Sequence, residues 1–167
     1  MNKLSIIIPV YNEEKTVHLI LNKIKNITLP HNIEKEIIII NDYSSDDTSQ
    51  SIQKYISDHL ELNIIFLEHT KNQGKGAALH TGIAKATGEF TIIQDADLEY
   101  DPKEYSILLQ PVLDGFADVV YGSRFMGGNA HRVLFFLAYD WKSLFDFFIK
   151  YVYQFELDRY GNVIQIV

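Results

Sequence analysis

The sequence predicts an α/β protein with a mostly parallel, Rossmann-like sheet flanked by helices. Two observations support this fold class. Short apolar runs alternate along the chain with segments whose apolar residues recur at helical spacing, which is typical of parallel βαβ units with both sheet faces covered. Polar loops also follow several predicted strands, and in such sheets ligands bind beyond the carboxyl ends of the strands.

The composition predicts one domain with a sizeable core, because 47% of the 167 residues are hydrophobic. No apolar run is long enough to span a membrane. No secretory signal is expected, since the apolar run at residues 6–8 is short and is followed by Pro9. The absence of cysteine excludes disulfides and thiolate metal sites and fits a reducing cytosol. The net charge of −7 argues against a nucleic-acid partner.

Each predicted element follows from its own apolar pattern. Buried strands are expected at residues 4–10, 36–40, 63–67 and 118–121, with a central strand that starts at Phe90. Helices are expected after the first two strands, over residues 77–86, and from Pro102 onward, where proline suits the first turn. Glu13 and Glu14 are expected in the first turn of the first helix. Residues 155–167 read as a short hairpin.

The central strand runs directly into three carboxylates, Asp95, Asp97 and Glu99. Hard oxygen ligands at a strand end suit Mg²⁺ or Mn²⁺, and Mg²⁺ usually takes one or two carboxylates together with substrate phosphates. The pattern therefore predicts a metal-assisted diphosphate site. A lone Asp-x-Asp is also compatible with a solvated acidic turn.

A glycine loop at residues 71–76 precedes the small helix. It matches neither the phosphate-loop pattern nor the dinucleotide-binding pattern, because the required residues do not follow. One interpretation is a tight helix entry at Gly74 and Gly76 with Lys75 in solvent. The other places Lys75 near the diphosphate of a donor, together with the metal.

Two further loops allow structural as well as functional interpretations. The loop at residues 9–14 is compatible with a helix cap, and such a cap can share the loop with a ligand. Asp42 follows the second strand. It is either an N-cap aspartate or an acceptor for a base or ribose.

Five motifs in order support a resemblance to a known family. They are Ile-Ile-Ile-Pro-Val-Tyr-Asn-Glu-Glu from Ile6, Ile-Asn-Asp-Tyr-Ser-Ser-Asp-Asp-Thr from Ile40, Asn-Gln-Gly-Lys-Gly-Ala from Asn72, Gln-Asp-Ala-Asp from Gln94 and Gly-Ser-Arg from Gly122. The chain resembles the family 2 inverting glycosyltransferases, most of all the branch of dolichol-phosphate mannosyltransferases and glucosyltransferases. The resemblance covers residues 1–137.

This resemblance implies a GT-A fold, a nucleotide-diphosphate sugar donor such as GDP-mannose or UDP-glucose, and Mg²⁺ or Mn²⁺ as cofactor. By motif position it implies that Pro9, Tyr11 and Glu13 line the nucleotide pocket and that Asp42 contacts the base or ribose. Asp95 matches an aspartate close to the nucleotide and diphosphate, and Asp97 matches a metal ligand.

Three more positions are assigned by the same resemblance. Glu99 stands where the branch often has a further metal ligand. Arg124 matches an arginine that meets the phosphate of a lipid acceptor, and Arg132 is a candidate for a second such arginine. Tyr43 departs from the family pattern, because a small residue, often glycine, usually occupies its position.

The segment from His131 to Tyr153 is rich in aromatic residues interrupted by charges. It is expected to form an amphipathic helix, either at a membrane interface or packed on the sheet or another subunit. The expected organisation is a nucleotide-sugar-binding core over residues 1–130 and an aromatic tail over residues 131–167.

The sequence thus predicts a cytoplasmic transferase, peripheral on the cytosolic face of a membrane, that moves mannose or glucose to a polyprenyl or dolichyl phosphate. Two alternatives stay open at this point. One is a non-catalytic remnant that binds nucleotide sugar but has an incomplete acceptor site. The other is a transferase of the same family that acts on a polysaccharide or a protein.

Overall fold

The computed structural model describes residues 2–122 and 162–166. Six strands form one sheet in the order β3-β2-β1-β4-β6-β5, and every neighbouring pair is parallel. The strands are β1 Lys3–Val10, β2 Glu34–Asn41, β3 Ile64–Glu68, β4 Phe90–Ile93, β5 Val119–Gly122 and β6 Asn162–Ile166. Because the strands are parallel, their carboxyl ends all lie along one edge. The predicted α/β class is confirmed.

Four helices connect the first five strands. They are α1 Val17–Asn26, α2 Thr48–Asp58, α3 Lys75–Lys85 and α4 Tyr105–Leu113. Short 3₁₀ turns at Pro30–Asn32 and Pro102–Glu104 precede β2 and α4. Pro102 occupies the first position of its turn, as predicted. Glu13 and Glu14 were expected in the first turn of α1. This is wrong, because the helix begins only at Val17 and has no acidic residue in its first turn.

The sheet has a hydrophobic core on each face. Successive strand residues point to opposite faces, so Ile6 and Ile8 of β1 join the larger core while Ile7 joins the smaller one. The larger core contains the buried residues of α1, α2 and α4, and the smaller core lies under α3. Helices therefore pack against both faces of the sheet and support its carboxyl edge from both sides.

Glycine is required where α3 approaches the sheet most closely. A Cβ atom added at Gly82 would lie 2.5 Å from Ile7 Cγ2 and 2.7 Å from Ile40 Cδ1. Both contacts are shorter than carbon atoms tolerate, so only glycine allows this helix-to-sheet distance.

A buried acid organises the opposite, amino-terminal edge of the sheet. Glu36 of β2 is 3% exposed, and it accepts hydrogen bonds from Ser5 Oγ at 2.6 Å and from Thr87 N and Oγ1 at 2.9 and 2.6 Å. Lys3 Nζ lies 3.6 Å from Glu36 Oε1. Burial by itself raises the pKa of Glu36, but these hydrogen bonds and the lysine charge bring that pKa below its usual value.

The end of the chain differs from the sequence-based expectation. The predicted hairpin over residues 155–167 is wrong, because β6 pairs in parallel with β4 on one side and with β5 on the other. Neither edge of β6 is left for a hairpin partner. Residues 162–166 therefore lie inside the core sheet, while the division at residue 130 stays a prediction.

The aromatic segment from His131 to Tyr153 lies outside the described residues. Among residues 2–122 and 162–166, none of the helices is long and apolar enough to cross a membrane.

Candidate active site

A cleft of about 430 Å³ opens at the carboxyl edge of the sheet. It is lined by residues that follow β1, β2 and β4 and by the glycine loop with the start of α3: Pro9, Val10, Tyr11, Glu13, Asp42, Asn72, Gly74, Lys75, Ala78, Asp95, Ala96 and Asp97. All six residues predicted for nucleotide-sugar binding, namely Pro9, Tyr11, Glu13, Asp42, Lys75 and Asp95, are in this set. The structure therefore brings together residues that are up to 86 positions apart in the sequence, from 9 to 95.

Three predicted site residues are not part of that lining. Glu99 does not line the cleft, although it lies in the same loop as Asp97. Arg124 and Arg132 fall outside the described residues, so their assignment to an acceptor phosphate stays a prediction.

The loops after β1 and β2 are joined by reciprocal hydrogen bonds around Asn12. Asn12 N donates to Ser44 Oγ at 2.9 Å, and Ser45 N donates back to Asn12 Oδ1 at 2.8 Å. Glu13 N donates to Thr48 Oγ1 at 2.8 Å. Such cross-links fix the backbone that forms one wall of the cleft.

Tyr43 adopts the left-handed backbone conformation, with φ of 62°. This region is unfavourable for a bulky residue and favourable for glycine. A backbone in this conformation favours glycine, and the family pattern indeed has a small residue, often glycine, at this position.

Asp42 is not an N-cap, because α2 begins at Thr48 and its N-cap residue is Asp47. The buried Asp42 carboxylate instead accepts hydrogen bonds from the glycine loop, from Gln73 N at 2.9 Å and Gly74 N at 2.6 Å. Burial by itself raises the pKa of Asp42, but hydrogen bonds from His69, Gln73 and Gly74 bring it below its usual value. Its contact with a base or ribose stays a prediction.

His69 is a site residue that the sequence patterns did not indicate. It directly follows β3, and its Nδ1 lies 2.7 Å from Asp42 Oδ1 while its Nε2 lies 2.9 Å from Thr81 Oγ1 of α3. The side chain is 9% exposed. Its position directly after a predicted strand could have indicated a site residue. The polar loops that the sequence analysis considered followed other strands.

The glycine loop shows features of both interpretations, a tight helix entry at Gly74 and a Lys75 that points into the cleft. Gly74 is the N-cap residue of α3 with φ of 85°, so the tight helix entry is confirmed. Lys75 Nζ nevertheless reaches across the cleft and lies 2.6 Å from Asp95 Oδ1 and 2.8 Å from Asp95 Oδ2. A positive charge thus stands beside the carboxylate predicted to lie next to the diphosphate.

Asp95 and Asp97 fit a divalent cation only together with ligands from a substrate. Both line the cleft, and carboxylate oxygens suit Mg²⁺ or Mn²⁺. Within the described part of the chain, however, no three His, Cys, Asp or Glu residues are grouped to hold a metal ion. The predicted three-carboxylate set of Asp95, Asp97 and Glu99 is therefore not assembled. The fit is to an ion that two carboxylates share with a diphosphate.

The chain matches a known protein family. The sequence model of the family described as Glycosyl transferase family 2 matches residues 5–159. The chain is 29% identical over 127 residues to the dolichol-phosphate mannosyltransferase of Pyrococcus furiosus, covering 76% of this chain and 34% of that protein. It is 33% identical over 126 residues to the undecaprenyl-phosphate 4-deoxy-4-formamido-L-arabinose transferase of Proteus mirabilis, covering 74% and 37%. The chain thus spans about a third of the length of these relatives.

Solved structures show the same architecture. The mannosyltransferase PcManGT from Pyrobaculum calidifontis, in complex with GDP-Man and Mn²⁺, matches with a TM-score of 0.62 at 26% identity, covering 73% of this chain and 35% of that one. TarS residues 1–349 of S. aureus, in complex with UDP, matches with a TM-score of 0.62 at 25% identity, covering 77% and 38%.

Proposed function

Because this chain belongs to glycosyl transferase family 2 and has the GT-A fold, we propose that it transfers a single sugar from a nucleotide-diphosphate sugar to a polyprenyl or dolichyl phosphate. The transfer inverts the anomeric centre and depends on a divalent cation. One observation carries this proposal. The cleft gathers the residues that follow β1 and β2, a lysine and two carboxylates at the carboxyl edge of the sheet.

The donor side of the proposal rests on the chemistry of that cleft. A sugar nucleotide carries a diphosphate, which Lys75 can meet as a positive charge near Asp95. Asp95 and Asp97 would hold Mg²⁺ or Mn²⁺, which when bound neutralises charge on the leaving diphosphate. Pro9, Tyr11, Glu13 and Asp42 would face the nucleoside. GDP-mannose and UDP-glucose are the proposed donors.

The acceptor side rests on the names of the relatives and on the family resemblance. A polyprenyl monophosphate has its second ionisation near pH 6, so it is largely a dianion at neutral pH and needs no strong general base. Its oxygen attacks the anomeric carbon while the bond to the nucleotide diphosphate breaks with its electron pair. Arg124 and Arg132 are assigned to the acceptor phosphate, since guanidinium groups bind phosphate oxygens in pairs.

A lipid phosphate acceptor also sets the expected location. We assign the protein to the cytoplasm, peripheral on the cytosolic face of a membrane, with the aromatic segment from His131 to Tyr153 as the contact. The interfacial preference of Trp and Tyr supports this assignment.

The test is a calorimetric donor panel of GDP-mannose and UDP-glucose, each with and without Mn²⁺. One donor is expected to bind in a Mn²⁺-dependent manner. Asp97→Asn should weaken that binding at least about tenfold, or about 1.4 kcal/mol, and should leave thermal stability nearly unchanged because Asp97 is exposed.

Asp58→Asn is the matched control. Asp58 is an exposed aspartate at the last residue of α2, away from the cleft lining, so the same charge change there should leave donor affinity unaltered. Equal affinity of Asp97→Asn and the parent would contradict the donor proposal. Donor binding without transfer to a radiolabelled polyprenyl phosphate would contradict the acceptor proposal and leave nucleotide-sugar binding alone.

A further inference from the structure

Two buried polar side chains hold the loop that carries the carboxylates. Gln94 directly follows β4 and Tyr105 is the first residue of α4, and both are 0% exposed. Tyr105 Oη donates to Gln94 Oε1 at 2.7 Å. Gln94 Nε2 donates to the backbone oxygens of Asp95 at 2.9 Å and Tyr100 at 3.3 Å.

The chemistry of these atoms determines every donor and acceptor in the arrangement. Backbone carbonyl oxygens only accept, so the amide nitrogen of Gln94 must face Asp95 and Tyr100. The amide oxygen then faces Tyr105, which must donate its single proton. Burial, with a smaller contribution from the charge of Asp101, raises the pKa of Tyr105 well above its usual value, so that proton is retained.

The result is a single amide that ties the two ends of residues 95–100 together. Asp97 lies between those ends, followed by Leu98 in the left-handed conformation with φ of 68°. An apolar pair of similar size would fill the same space, but it would leave the backbone oxygens of Asp95 and Tyr100 without the donor that holds them together. The polar pair therefore helps to determine the shape of the loop.

We propose that Gln94 and Tyr105 are positioning residues, which hold Asp95 and Asp97 in the geometry that binds a divalent cation with the donor diphosphate. This inference rests on the proposed function. Neither residue lines the cleft, so both act through the loop backbone.

The experiment compares Tyr105→Phe with Tyr55→Phe. Tyr55 is also a buried tyrosine, 6% exposed, but its hydroxyl donates to Asn22 Oδ1 of α1, away from the cleft. Each variant loses one buried hydroxyl and its hydrogen bond. Tyr105→Phe should weaken Mn²⁺-dependent donor binding about tenfold, while Tyr55→Phe should stay within about twofold of the parent.

Amide hydrogen exchange in the donor-free protein gives a second readout. Exchange over residues 95–100 should become at least about tenfold faster in Tyr105→Phe and stay unchanged in Tyr55→Phe. The double variant Gln94→Leu/Tyr105→Phe removes the whole side-chain pair, which leaves the backbone oxygens of Asp95 and Tyr100 without the amide donor. It should bind the donor no more tightly than Tyr105→Phe, and exchange over residues 95–100 should be at least as fast as in Tyr105→Phe.

Parent-like donor affinity in Tyr105→Phe would overturn the proposal, and so would recovery of affinity in the double variant. If the parent binds no nucleotide sugar at all, the proposed function fails. The exchange readout then still decides the inference, since unchanged exchange in Tyr105→Phe would show that the pair does not hold the loop.

Discussion

At the scale of single residues, His69 connects three elements next to the cleft. It links Asp42, at the end of β2, to Thr81 of α3, and Asp42 in turn holds the backbone of Gln73 and Gly74. The glycine loop is therefore set by a side chain that lies beneath it. Loss of this histidine should loosen the loop as well as destabilise the fold.

We expect His69→Leu to lower the free energy of unfolding by about 1–3 kcal/mol, because the buried carboxylate of Asp42 loses a hydrogen-bond donor. Donor affinity should fall in parallel as the loop at Gln73 and Gly74 loosens. His69→Asn is the matched variant, since its amide can stand near the former Nδ1 and donate to Asp42. Urea unfolding and donor calorimetry on both variants are the measurements.

His69→Asn should recover most of the lost affinity. If both variants bind the donor as tightly as the parent, the link from His69 through Asp42 to the loop carries no function. If both lose stability equally, the ring as a whole, and not its Nδ1 donor, is what the site needs.

The motif residues of the cleft could be predicted, but their contacts could not. Pro9, Lys75 and Asp95 stand in recognisable patterns, and the structure brings them to one cleft. The hydrogen bond between Asp42 and His69 joins positions 27 apart, with α2 and β3 between them, and no local pattern encodes it. Glu99 stood in a suggestive position, yet the turn after Asp97 takes it out of the cleft lining.

At the scale of elements, the position of α3 against the sheet depends on Gly82. This helix begins with Lys75 and so carries one wall of the cleft. Its distance from β1 and β2 is set where Gly82 meets Ile7 and Ile40. A shift of the helix at this contact would move Lys75 relative to Asp95.

Gly82→Ala should therefore destabilise the protein, although alanine is the better helix former. The added methyl group forces Ile7 and Ile40 aside or pushes α3 outward, at a cost of about 1–3 kcal/mol. Chemical denaturation should show a lower midpoint than for the parent. Lys85→Ala, at an exposed position of the same helix, should stay within about 0.5 kcal/mol.

An unchanged midpoint for Gly82→Ala would mean that the helix can move away at no cost. Donor affinity measured on the same variant would then report whether that movement reaches Lys75.

Apolar periodicity was sufficient for the elements of the first 122 residues. The isoleucine run of β2 and the spacing of Val17, Ile20 and Ile24 in α1 place these elements where the structure has them. The partner of β6 was not predictable in this way. A short strand carries no local signal of whether it pairs with its neighbour in sequence or with β4, some 70 residues earlier.

At the scale of the whole molecule, the carboxyl and amino ends of the strands have different roles. The carboxyl edge carries the cleft, while the amino edge is closed by Glu36 with Ser5, Thr87 and Lys3. This second network joins β1, β2 and the loop between α3 and β4. The network therefore stabilises the fold in a way that depends on pH.

The pKa of Glu36 is lower in the folded protein than its usual value of 4.5. The ionised form therefore stabilises the fold fully above that usual value, and this stabilisation is lost as the pH falls through the lower, folded value. In urea unfolding at pH 7, the free energy of unfolding of Glu36→Gln should be about 1–3 kcal/mol lower than that of the parent. The difference should shrink below about pH 4.

The pKa of Asp42 is lowered as well, so the comparison of parent and variant is what isolates the contribution of Glu36. A difference that stays constant from pH 7 to pH 3 would show that the charge of Glu36 contributes nothing, and that its two accepting oxygens are what the network needs.

The position of β6 has a consequence for the order of folding. The strands β3, β2, β1 and β4 form a continuous block within the first 93 residues, and β5 follows by residue 122. Among the described strands, however, β5 is joined to that block only through β6, which is synthesised after both. Until then the edge of β4 has exposed main-chain groups next to the carboxylate loop. Such late, non-local pairing slows folding and leaves an unpaired edge open to aggregation.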